Sequence, residues 1–549
     1  MGIGSKQERE QTPLRNLETV QWAVRPVNNL VDRPALGEVI PTCSSSIKVE
    51  EVRAAVRALK LKRAEVQVPA EFLRALLDAE EIDASCWLVK LFQLCWEKKT
   101  IPTAWHLSKV IPVYKKGDPA DCDNYRPISL VSVLYKVYAM ILHRHQKAAG
   151  AENRLWDRQF GFRSKHSTED ALFIVRRRIE QALAAKGGRS LILALDWRKA
   201  FDSISPDRLL WALRRFGVND SMLSAVKDIY SSRVFIVADS GSISDEHPQM
   251  AGISQGCPLS PFLFGMLMTV LMTDARASLT ADANLASQAG ELEDVLFADD
   301  TLLIGKCGKH VEEYMAAVER AGSDYGLQVH WGKVHLVGVG TMTTLKSPGG
   351  QAIKPQTSML YLGSTIHMDG KFGCEVSRKI GSARAEFESL HQVWKSRSVA
   401  KRRKLQLFDS YILSKLRYGI SSAWLLKADL RRLDGFQARC LRVLMGVPHP
   451  YMSRISNERV RTMAGQEAFS KTVHQLQVKL LDDILHDHNR RLFRKVAFVE
   501  GTDTPLTAAS KRKVGRPRQS WTEQVLALKA GNLYRSANLP MLCLAEHGC

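Results

Sequence analysis

Two apolar segments that end in aspartates carry the residues best suited to chemistry. Residues 191–202 read LILALDWRKAFD, and residues 295–304 read VLFADDTLLI. Each has a run typical of a buried strand that meets carboxylates, Asp196 in the first and Asp299 and Asp300 in the second. A buried carboxylate is costly unless a cation or partner compensates it. Two such strand ends facing one point would form an oxygen-lined site for a divalent cation such as Mg²⁺, which suits phosphoryl transfer.

Local patterns predict the elements that carry these carboxylates. Apolar runs on both sides of residues 298–301 predict a hairpin with two aspartates at its tip. Ser167, followed by acidic residues, predicts the start of a helix that runs to about residue 185, just before the first carboxylate strand. Either acidic segment alone is equally typical of an ordinary strand that ends in a solvated turn. A metal site is therefore indicated only by the pair.

The composition indicates a basic protein with a polyanionic partner. The chain has 549 residues, 45% of them hydrophobic, which suits about two to four subdomains with their own cores. The 78 Lys and Arg exceed the 57 Asp and Glu, for a net charge of +21, and this favours nucleic acid over a membrane as partner. Ten scattered cysteines are typical of reduced thiols. The longest apolar stretch, residues 262–272, is too short to span a bilayer, so we expect no membrane contact and a location in the nucleus or cytoplasm.

Both ends of the chain lack a clear pattern. Residues 1–45 are polar without a sustained period and predict a disordered tail. The periodicity fades again near residue 501, which predicts a basic, weakly ordered tail over residues 501–549. Two weak binding signals in that tail are GRPR at residues 515–518 and the trio Cys543, His547 and Cys549. The first resembles a minor-groove arm and the second an irregular metal knuckle, but a solvated tail explains both equally well.

Seven short motifs follow one another along the chain. They are KKGD with NYRPISL (115–130), QFGFR (159–163), the Asp196 segment (196–202), GISQGCPLSP (252–261), FADD (297–300), GLQVHWGK (326–333) and YLG (361–363). In this order they resemble the motifs of the reverse transcriptase of non-LTR (LINE-type) retrotransposons. The likeness covers roughly residues 48–525.

This resemblance implies an α+β, right-hand polymerase fold, with an antiparallel palm sheet backed by helices. The implied domains are fingers over residues 46–190, a palm over residues 191–370 and a basic helical thumb or connection over residues 371–500. Full-length elements of many such families also carry an endonuclease. We expect none here, because only about 45 residues precede the first helix of the fingers.

The resemblance also implies an RNA-directed DNA polymerase that extends a primer 3′-OH with dNTPs through two Mg²⁺ ions, for which Mn²⁺ can substitute. Such metal ions activate the attacking oxygen and stabilise the leaving one. Asp196 and Asp299 would bridge both ions, with Asp300 as a supporting acid and the backbone carbonyl of Trp197 as an extra ligand. Lys333 would protonate the departing pyrophosphate or neutralise phosphate charge. The implied partners are an RNA template, a DNA primer and the RNA–DNA heteroduplex.

The nucleotide contacts are expected from the fingers motif and from the first palm motif. Triphosphate binding calls for cations, and Lys115 or Lys116, together with Arg126, fit by family position. Phe201 stands five residues after Asp196, where its ring would leave no room for a ribose 2′-OH and would favour deoxynucleotides. A plain core phenylalanine is the alternative.

The remaining expected contacts come from other motifs. Gln255 and Gly256 would let the chain approach the nucleotide and template, since glycine lacks a Cβ. The residues expected to contact nucleic acid are Gln159 and Arg163 for the template and Tyr361, Leu362 and Gly363 for the primer end. Asp202 is more typical of a residue that caps or braces the following helix than of a catalytic acid.

Two other functions remain open from the sequence. One is a folded but catalytically weak relic that only binds RNA or heteroduplex, and the other is a host-adopted RNA-processing factor built on the same palm. The intact aspartates favour the polymerase. His330 stands where the family usually has asparagine, and this departure leaves the palm chemistry untouched.

Overall fold

The protein combines helices with two main β-sheets. The computed structural model describes residues 33–41, 46–62, 68–79, 84–121, 124–239, 241–487, 490–509 and 519–536. The mixture of helix and sheet agrees with the expected α+β class. None of the helices in these ranges is both long and apolar enough to cross a membrane. The GRPR segment and the Cys/His trio at the end of the chain lie outside the described residues.

The strands and helices have the following bounds. The strands are β1 (Leu107–Tyr114), β2 (Tyr125–Leu130), β3 (Ser190–Leu195), β4 (Val234–Asp239), β5 (Ser242–Ile243), β6 (His247–Pro248), β7 (Leu292–Phe297), β8 (Asp300–Gly305), β9 (His335–Val339), β10 (Leu345–Lys346), β11 (Ala352–Ile353), β12 (Ser358–Tyr361) and β13 (Ser364–His367). The helices before residue 370 are α1 (Val49–Ala58), α2 (Ala70–Asp78), α3 (Ala84–Lys98), α4 (Val133–Ala148), α5 (Thr168–Ala184), α6 (Ala200–Ser203), α7 (Pro206–Phe216), α8 (Asp220–Tyr230), α9 (Ser260–Ala277), α10 (Ala281–Gln288) and α11 (Gly308–Asp324). Those after it are α12 (Gly373–Ser389), α13 (His391–Lys395), α14 (Lys401–Leu407), α15 (Ser414–Arg417), α16 (Lys427–Met445), α17 (Pro450–Ser453), α18 (Asn457–Met463), α19 (Phe469–His486), α20 (Arg491–Ala497), α21 (Leu506–Ala509) and α22 (Trp521–Ser536).

The first sheet joins two distant parts of the chain. Its order is β2-β1-β4-β5, with β6 also paired to β4. Strands β1 and β2 are antiparallel, whereas β1 and β4 are parallel, with Val110 opposite Val237. Because β4 lies in the range that we assigned to the palm and β1 in the range assigned to the fingers, this sheet crosses the expected boundary at residue 190.

The second sheet has the order β7-β8-β3-β9, and all of its neighbours are antiparallel. Strand β3 is central, and its alternate side chains enter two different cores. Leu191, Leu193 and Leu195 pack in the core that contains α9 and α11. Ile192 packs in a second core with α5 and the C-terminal helices. Burial on both faces explains why this strand is continuously apolar in sequence.

Two predicted elements next to this sheet are found in the structure. Helix α5 begins after Ser167, whose side chain and that of Asp170 form a reciprocal capping box. The hairpin of β7 and β8 has the two aspartates at its tip, as expected from the apolar runs on either side. Residues after 371 are mainly helical, also as expected, and α12, α14, α16 and α19 share a core of their own.

The N-terminal prediction of a disordered tail is wrong for the part that the structure describes, residues 33–41. Ile40 is fully buried, and its backbone N–H donates to the carbonyl of Gly217 at 2.7 Å. Arg33 forms ion pairs of 2.6 Å with both Asp274 and Asp324. The buried side chain of Ile40 and the two ion pairs of Arg33 anchor this segment. Neither produces a periodic pattern, so the order of this segment is not evident from the sequence.

The C-terminal prediction is wrong for residues 519–536, which contain helix α22. Trp521 at its start is fully buried and packs edge-on against Phe173 with ring centroids 5.2 Å apart. The Trp521 indole N–H donates to the carbonyl of Ser421 at 2.7 Å. Trp521 therefore helps to fix this helix to α5, although the surrounding sequence is only weakly periodic.

Candidate active site

A cleft of about 840 Å³ lies where β3 ends beside the tip of the β7–β8 hairpin. It brings together residues from six of the seven sequence motifs. The predicted site residues that line it are Lys115, Arg126, Asp196, Trp197, Phe201, Gln255, Gly256, Asp299, Asp300 and Lys333. His330 also lines the cleft.

The pairing of β3 with β8 places the first aspartate. Leu195 is the last residue of β3 and stands opposite Thr301 of β8. Asp196 follows directly, at the same edge of the sheet as the hairpin tip. The backbone carbonyl of Asp196 accepts a hydrogen bond of 2.7 Å from the N–H of His330, which fixes the chain as it leaves the strand.

The hairpin places the other two aspartates. Phe297 and Asp300 form its last pair, so Ala298 and Asp299 make a two-residue turn. Ala298 has a φ of +57°, a left-handed conformation that residues with a Cβ adopt at a cost of about 1 kcal/mol. This turn directs Asp299 and Asp300 into the cleft that Asp196 also lines.

The three carboxylates affect one another electrostatically. Burial raises the pKa of Asp299 above its usual value, and repulsion by Asp196 adds to this effect. Although Asp300 is exposed as a residue, the protein atoms around its carboxyl, together with Asp299 and Asp196, raise its pKa to about 7. Carboxylates that are poorly hydrated and mutually repelling favour a bound cation.

These aspartates suit a metal ion whose remaining coordination positions are filled by substrate. Among the described residues, no group of three or more His, Cys, Asp or Glu side chains has the spacing of a complete metal site. Mg²⁺ usually takes only one or two protein carboxylates and fills its other positions with water and phosphate oxygens. Asp196 and Asp299 supply such a partial set. The Trp197 carbonyl takes no part in the two backbone hydrogen bonds that flank it. One of these bonds uses the Asp196 carbonyl and the other uses the Arg198 N–H.

The side chain of Gln159 holds the turn at Ala298 and Asp299 by hydrogen bonds. Its Oε1 accepts from the N–H of Ala298 at 2.8 Å, and its Nε2 donates to the carbonyl of Ala298 at 3.0 Å. The N–H of Gly161 also donates to that Oε1 at 2.9 Å, and a Cβ on Gly161 would lie 2.2 Å from the Ala298 nitrogen. Gln159 is only 1% exposed, so its amide faces the hairpin and not the surface where we expected a template contact.

Cations face the aspartates across the cleft. The pKa of Lys115 is lowered, first by burial and then by the nearby positive charges of Arg126 and Lys333. The positive charge of Arg126 in turn offsets a small part of the rise in the pKa of Asp299. The Lys333 ammonium lies 3.6 Å from the Asp196 carboxylate. Both lysines are exposed as residues, but Lys115 lines the cleft and Lys116 does not, which distinguishes two lysines that the sequence left equivalent.

Phe201 is held between two other rings. It stacks on Phe264 with centroids 4.7 Å apart and meets Phe162 edge-on at 6.2 Å. Its backbone carbonyl accepts a hydrogen bond of 2.7 Å from Ile253. Because Phe264 is fully buried, the Phe201 ring has a firm support and a fixed position in the wall of the cleft.

The segment that contains Gln255 and Gly256 is tied to its neighbours. The Gln255 Nε2 donates to both carboxylate oxygens of Asp202 at 3.1 Å, so Asp202 braces Gln255 and not only the helix in which it lies. A Cβ on Gly256 would lie 2.2 Å from the Ser129 carbonyl oxygen. The close approach that requires glycine here is therefore an approach to strand β2.

The expected primer-end residues form a separate hairpin. Tyr361 pairs with Ser364, and the turn between them is fixed by hydrogen bonds from Tyr418 to the Leu362 carbonyl at 2.7 Å and from Arg378 to the Gly363 carbonyl at 2.6 Å. The Tyr361 ring is buried, and nearby Asp300 contributes to its raised pKa. These three residues do not line the cleft.

The structure also identifies two residues that were not predicted as site residues, Phe162 and Arg233, and it places the predicted residue Arg163. Phe162 lines the cleft with a left-handed φ of +60° and 46% exposure. Arg233 is buried and binds the segment before Gln255 through the Gly252 carbonyl at 3.1 Å and the Ser254 hydroxyl. Arg163 lies outside the cleft and donates to the Trp156 carbonyl at 3.1 Å. Phe162 and Arg163 both belong to the QFGFR motif, whereas Arg233 belongs to none of the seven motifs.

The comparison with known families agrees with this geometry. Residues 113–366 match the family described as reverse transcriptase (RNA-dependent DNA polymerase). This segment is a reverse transcriptase domain. All of the predicted site residues, from Lys115 to Gly363, fall inside it. Members of this family generally use divalent metal ions, which is consistent with the paired aspartates of the cleft.

Similar proteins come from mobile elements. The chain is 27% identical over 432 residues to a Drosophila melanogaster protein named RNA-directed DNA polymerase from mobile element jockey, an alignment that covers 74% of this chain and 44% of that protein. It is 23% identical over 415 residues to the probable RNA-directed DNA polymerase from transposon BS of the same species, covering 73% and 45%. It is 25% identical over 370 residues to a retrovirus-related Pol polyprotein from type-1 retrotransposable element R2 of Popillia japonica, covering 64% and 49%. The chain thus spans less than half the length of these relatives.

Proposed function

We propose that this chain is an RNA-directed DNA polymerase of a non-LTR retrotransposon. One observation carries the proposal: Asp196 and Asp299 lie in one cleft, are close enough for Asp196 to raise the pKa of Asp299, and face Lys115 and Arg126. Such an arrangement of carboxylates opposite cations suits metal-assisted transfer of a phosphoryl group. The relatives named as RNA-directed DNA polymerases support the same reading.

In this proposal Asp196 and Asp299 hold the metal, and Asp300 adds negative charge beside them. When bound, Mg²⁺ would supply Lewis-acid activation of the primer hydroxyl and charge stabilisation of the leaving pyrophosphate. Asp300 has a pKa of about 7 without a cation, so a bound metal would favour its ionised form. The Trp197 carbonyl is available at the same edge as a further ligand.

The other residues of the cleft would bind and select the nucleotide. Lys115 and Arg126 would hold the triphosphate, since both face the aspartates from the β1 and β2 side. Lys333, beside Asp196, would neutralise phosphate charge or donate a proton to pyrophosphate. Phe201, fixed between Phe264 and Phe162, would exclude a ribose 2′-OH and so select dNTPs.

The surrounding elements would then act as a polymerase hand. The first sheet with α1–α4 would form the fingers, the second sheet the palm, and the helices after residue 371 the thumb that grips an RNA–DNA heteroduplex by its phosphates. The tip formed by Leu362 and Gly363 is held rigidly enough to support a primer end. An RNA template, a DNA primer and a location in the nucleus or cytoplasm belong to the same proposal.

A primer-extension assay tests the function directly. We expect the protein to extend a DNA primer on an RNA template with dNTPs and Mg²⁺, and to lose this activity with EDTA. Asp299→Asn should abolish extension while heteroduplex binding survives, because the substitution removes a metal ligand and not a duplex contact. Wild-type protein that binds heteroduplex without making cDNA would instead favour the relic or the RNA-processing factor, and unchanged synthesis by Asp299→Asn would refute the site.

A further inference from the structure

A second cavity lies on the other side of the QFGFR motif from the catalytic cleft. Its volume is about 820 Å³, and it is bounded by residues 157–166 on one side and by helix α20 with the turn after it on the other. Phe162 lines the cleft, whereas Phe160 and Arg163 line this second cavity. Within the described part of the chain, the two cavities share none of their lining residues.

The walls of this cavity are rich in cations. They carry Arg158, Arg163, Arg276, Arg491, Arg494 and Lys495. Three of these six already have an acidic partner, because Arg158 pairs with Glu293, Arg276 with Asp294 and Arg494 with Asp503. The other three, Arg163, Arg491 and Lys495, form no ion pair with a described carboxylate, although Asp157 and Glu500 also line the walls.

Buried donors in the same walls lack acceptors. Arg158 Nη1 and Arg163 Nε are buried nitrogens without a hydrogen-bond partner among the described residues. Arginine remains protonated and carries only donors. A buried charged donor without an acceptor carries a desolvation penalty that no hydrogen bond offsets. An anion that enters the cavity would be attracted by the positive charge of these arginines.

We propose that this cavity binds the phosphate backbone of a single-stranded nucleic acid, at a site separate from the catalytic cleft. The proposal deepens the polymerase function and rests on it for the source of the strand, which is the RNA template. A cavity of this volume has room for a few nucleotides of one strand.

The aromatic walls indicate that the backbone is recognised and not the bases. Phe160, Phe493 and Phe498 line the cavity, but each is only 1% exposed. Rings that are packed in this way offer no free face on which a base could stack. The site should therefore bind strands without regard to sequence, and its affinity should depend on salt.

The experiment measures binding at this site while the cleft is filled. Protein is saturated with an unlabelled blunt RNA–DNA heteroduplex, and a labelled single-stranded RNA 12-mer is titrated by fluorescence anisotropy at several salt concentrations. The test variant combines Arg491→Glu with Lys495→Glu, because both side chains are exposed and unpaired among described residues, so the fold should survive. The matched control combines Lys227→Glu with Lys309→Glu, two exposed helical lysines outside both cavities.

We expect the test variant to bind the 12-mer about tenfold more weakly, with the slope of log affinity against log salt reduced by about 1.4, the value for two lost contacts to a single strand. The control should bind the 12-mer as wild type does. The variant that combines Arg491→Lys with Lys495→Arg keeps both positive charges and should also bind as wild type does. Equal affinity and slope for the test variant and its control would overturn the proposal.

Competition distinguishes a strand from a small phosphate ligand. A single-stranded DNA 12-mer should displace the RNA, whereas ATP or inorganic phosphate at the same phosphate concentration should not. Displacement by ATP alone would overturn the strand in favour of a free nucleotide. Primer extension with wild-type protein tests the polymerase function separately. Titration of Asp299→Asn with the RNA 12-mer shows whether this cavity binds RNA without catalysis.

Discussion

Gln159 holds both backbone groups of Ala298 with its side-chain amide, at 2.8 Å and 3.0 Å. Ala298 adopts a left-handed conformation immediately before Asp299. The amide comes from a segment about 140 residues earlier in the chain, which runs along the edge of β7. Two hydrogen bonds of 2.9 Å hold it there, from the Phe160 N–H to the Leu296 carbonyl and from the Leu296 N–H to the Arg158 carbonyl. The backbone that presents an aspartate to the cleft is thus fixed by a remote side chain.

The first prediction concerns this amide. Gln159→Leu keeps the size of the side chain but leaves the Ala298 N–H and carbonyl unpaired, so the turn should relax and Asp299 should shift. We expect kcat for extension to fall about 10²-fold, with little change in heteroduplex affinity.

Gln477→Leu provides the matched control. Gln477 is also 1% exposed and donates to a backbone carbonyl, that of Ala423, at 2.9 Å. Both variants should lose about 1–3 kcal/mol of stability, but only Gln159→Leu should lose kcat. Equal kcat values in the two variants would show that Gln159 has no positioning role.

Gln159 also shows how far the sequence could predict this protein. The two carboxylate strands, the hairpin and the place of the aspartates at its tip are predicted well, because continuous apolar runs that end in carboxylates are local signals. The role of Gln159 depends on which backbone it meets after folding, and no local pattern carries that information. The same reason explains Arg233, which acts through Gly252 and Ser254.

Long-range packing accounts for the other differences. The pairing of β4 with β1 crosses the expected domain boundary because parallel strands can come from distant segments. Ile40 and Trp521 anchor segments that we predicted to be disordered, since one buried residue is enough to fix a short segment but produces no period. Lys115 and Lys116 are adjacent in the sequence just after β1, and only the folded structure separates their environments.

The second prediction is a pH dependence of stability that comes from Asp300. Its pKa is about 7 in the folded chain and 3.8 without the fold, so the folded state binds the proton more tightly. Stability from this group is therefore greatest below about pH 4 and is lost as the pH rises through 7. In EDTA, the unfolding temperature of wild-type protein should fall between pH 5.5 and 8 more steeply than that of Asp300→Asn.

Metal should reverse this loss. Adding Mg²⁺ at pH 8 should raise the unfolding temperature of wild-type protein, because a cation relieves the repulsion among the three carboxylates. Asp300→Asn should respond less, and Asp245→Asn, an exposed substitution outside the cleft, should behave as wild type. Parallel pH curves for wild type and Asp300→Asn would contradict the assignment.

The third prediction concerns sugar selection. Phe201→Val removes the ring that is fixed against Phe264 and opens space in the cleft wall. The preference for dGTP over GTP, measured as the ratio of kcat/KM values, should fall about 10–100-fold. Phe201→Tyr keeps the ring and should keep the preference. A ratio that does not change in Phe201→Val would assign Phe201 to the core alone.

The fourth prediction compares two glycines. Gly256→Ala would place a Cβ 2.2 Å from the Ser129 carbonyl oxygen, whereas Gly241→Ala, at a φ of +90°, meets nothing within 4 Å. Both substitutions carry backbone strain, so their difference isolates the collision. We expect Gly256→Ala to cost a further 1–3 kcal/mol or so and to raise KM for dNTPs, because Gln255 moves with it. Similar free energies of unfolding for the two variants would mean that strand β2 moves aside for the added Cβ without cost.

The fifth prediction separates the adjacent lysines. Lys115 lines the cleft, and its pKa is lowered by burial and by the charges of Arg126 and Lys333. Several cations placed close together are expected at a site that binds a polyanion. Lys115→Ala should raise KM for dNTPs about tenfold, the size of one charge-assisted hydrogen bond, while kcat changes less. Lys116→Ala should leave both constants near wild type, because Lys116 points outside the cleft. An equal or larger effect of Lys116→Ala would place the triphosphate on the outer side of the turn and remove Lys115 from the site.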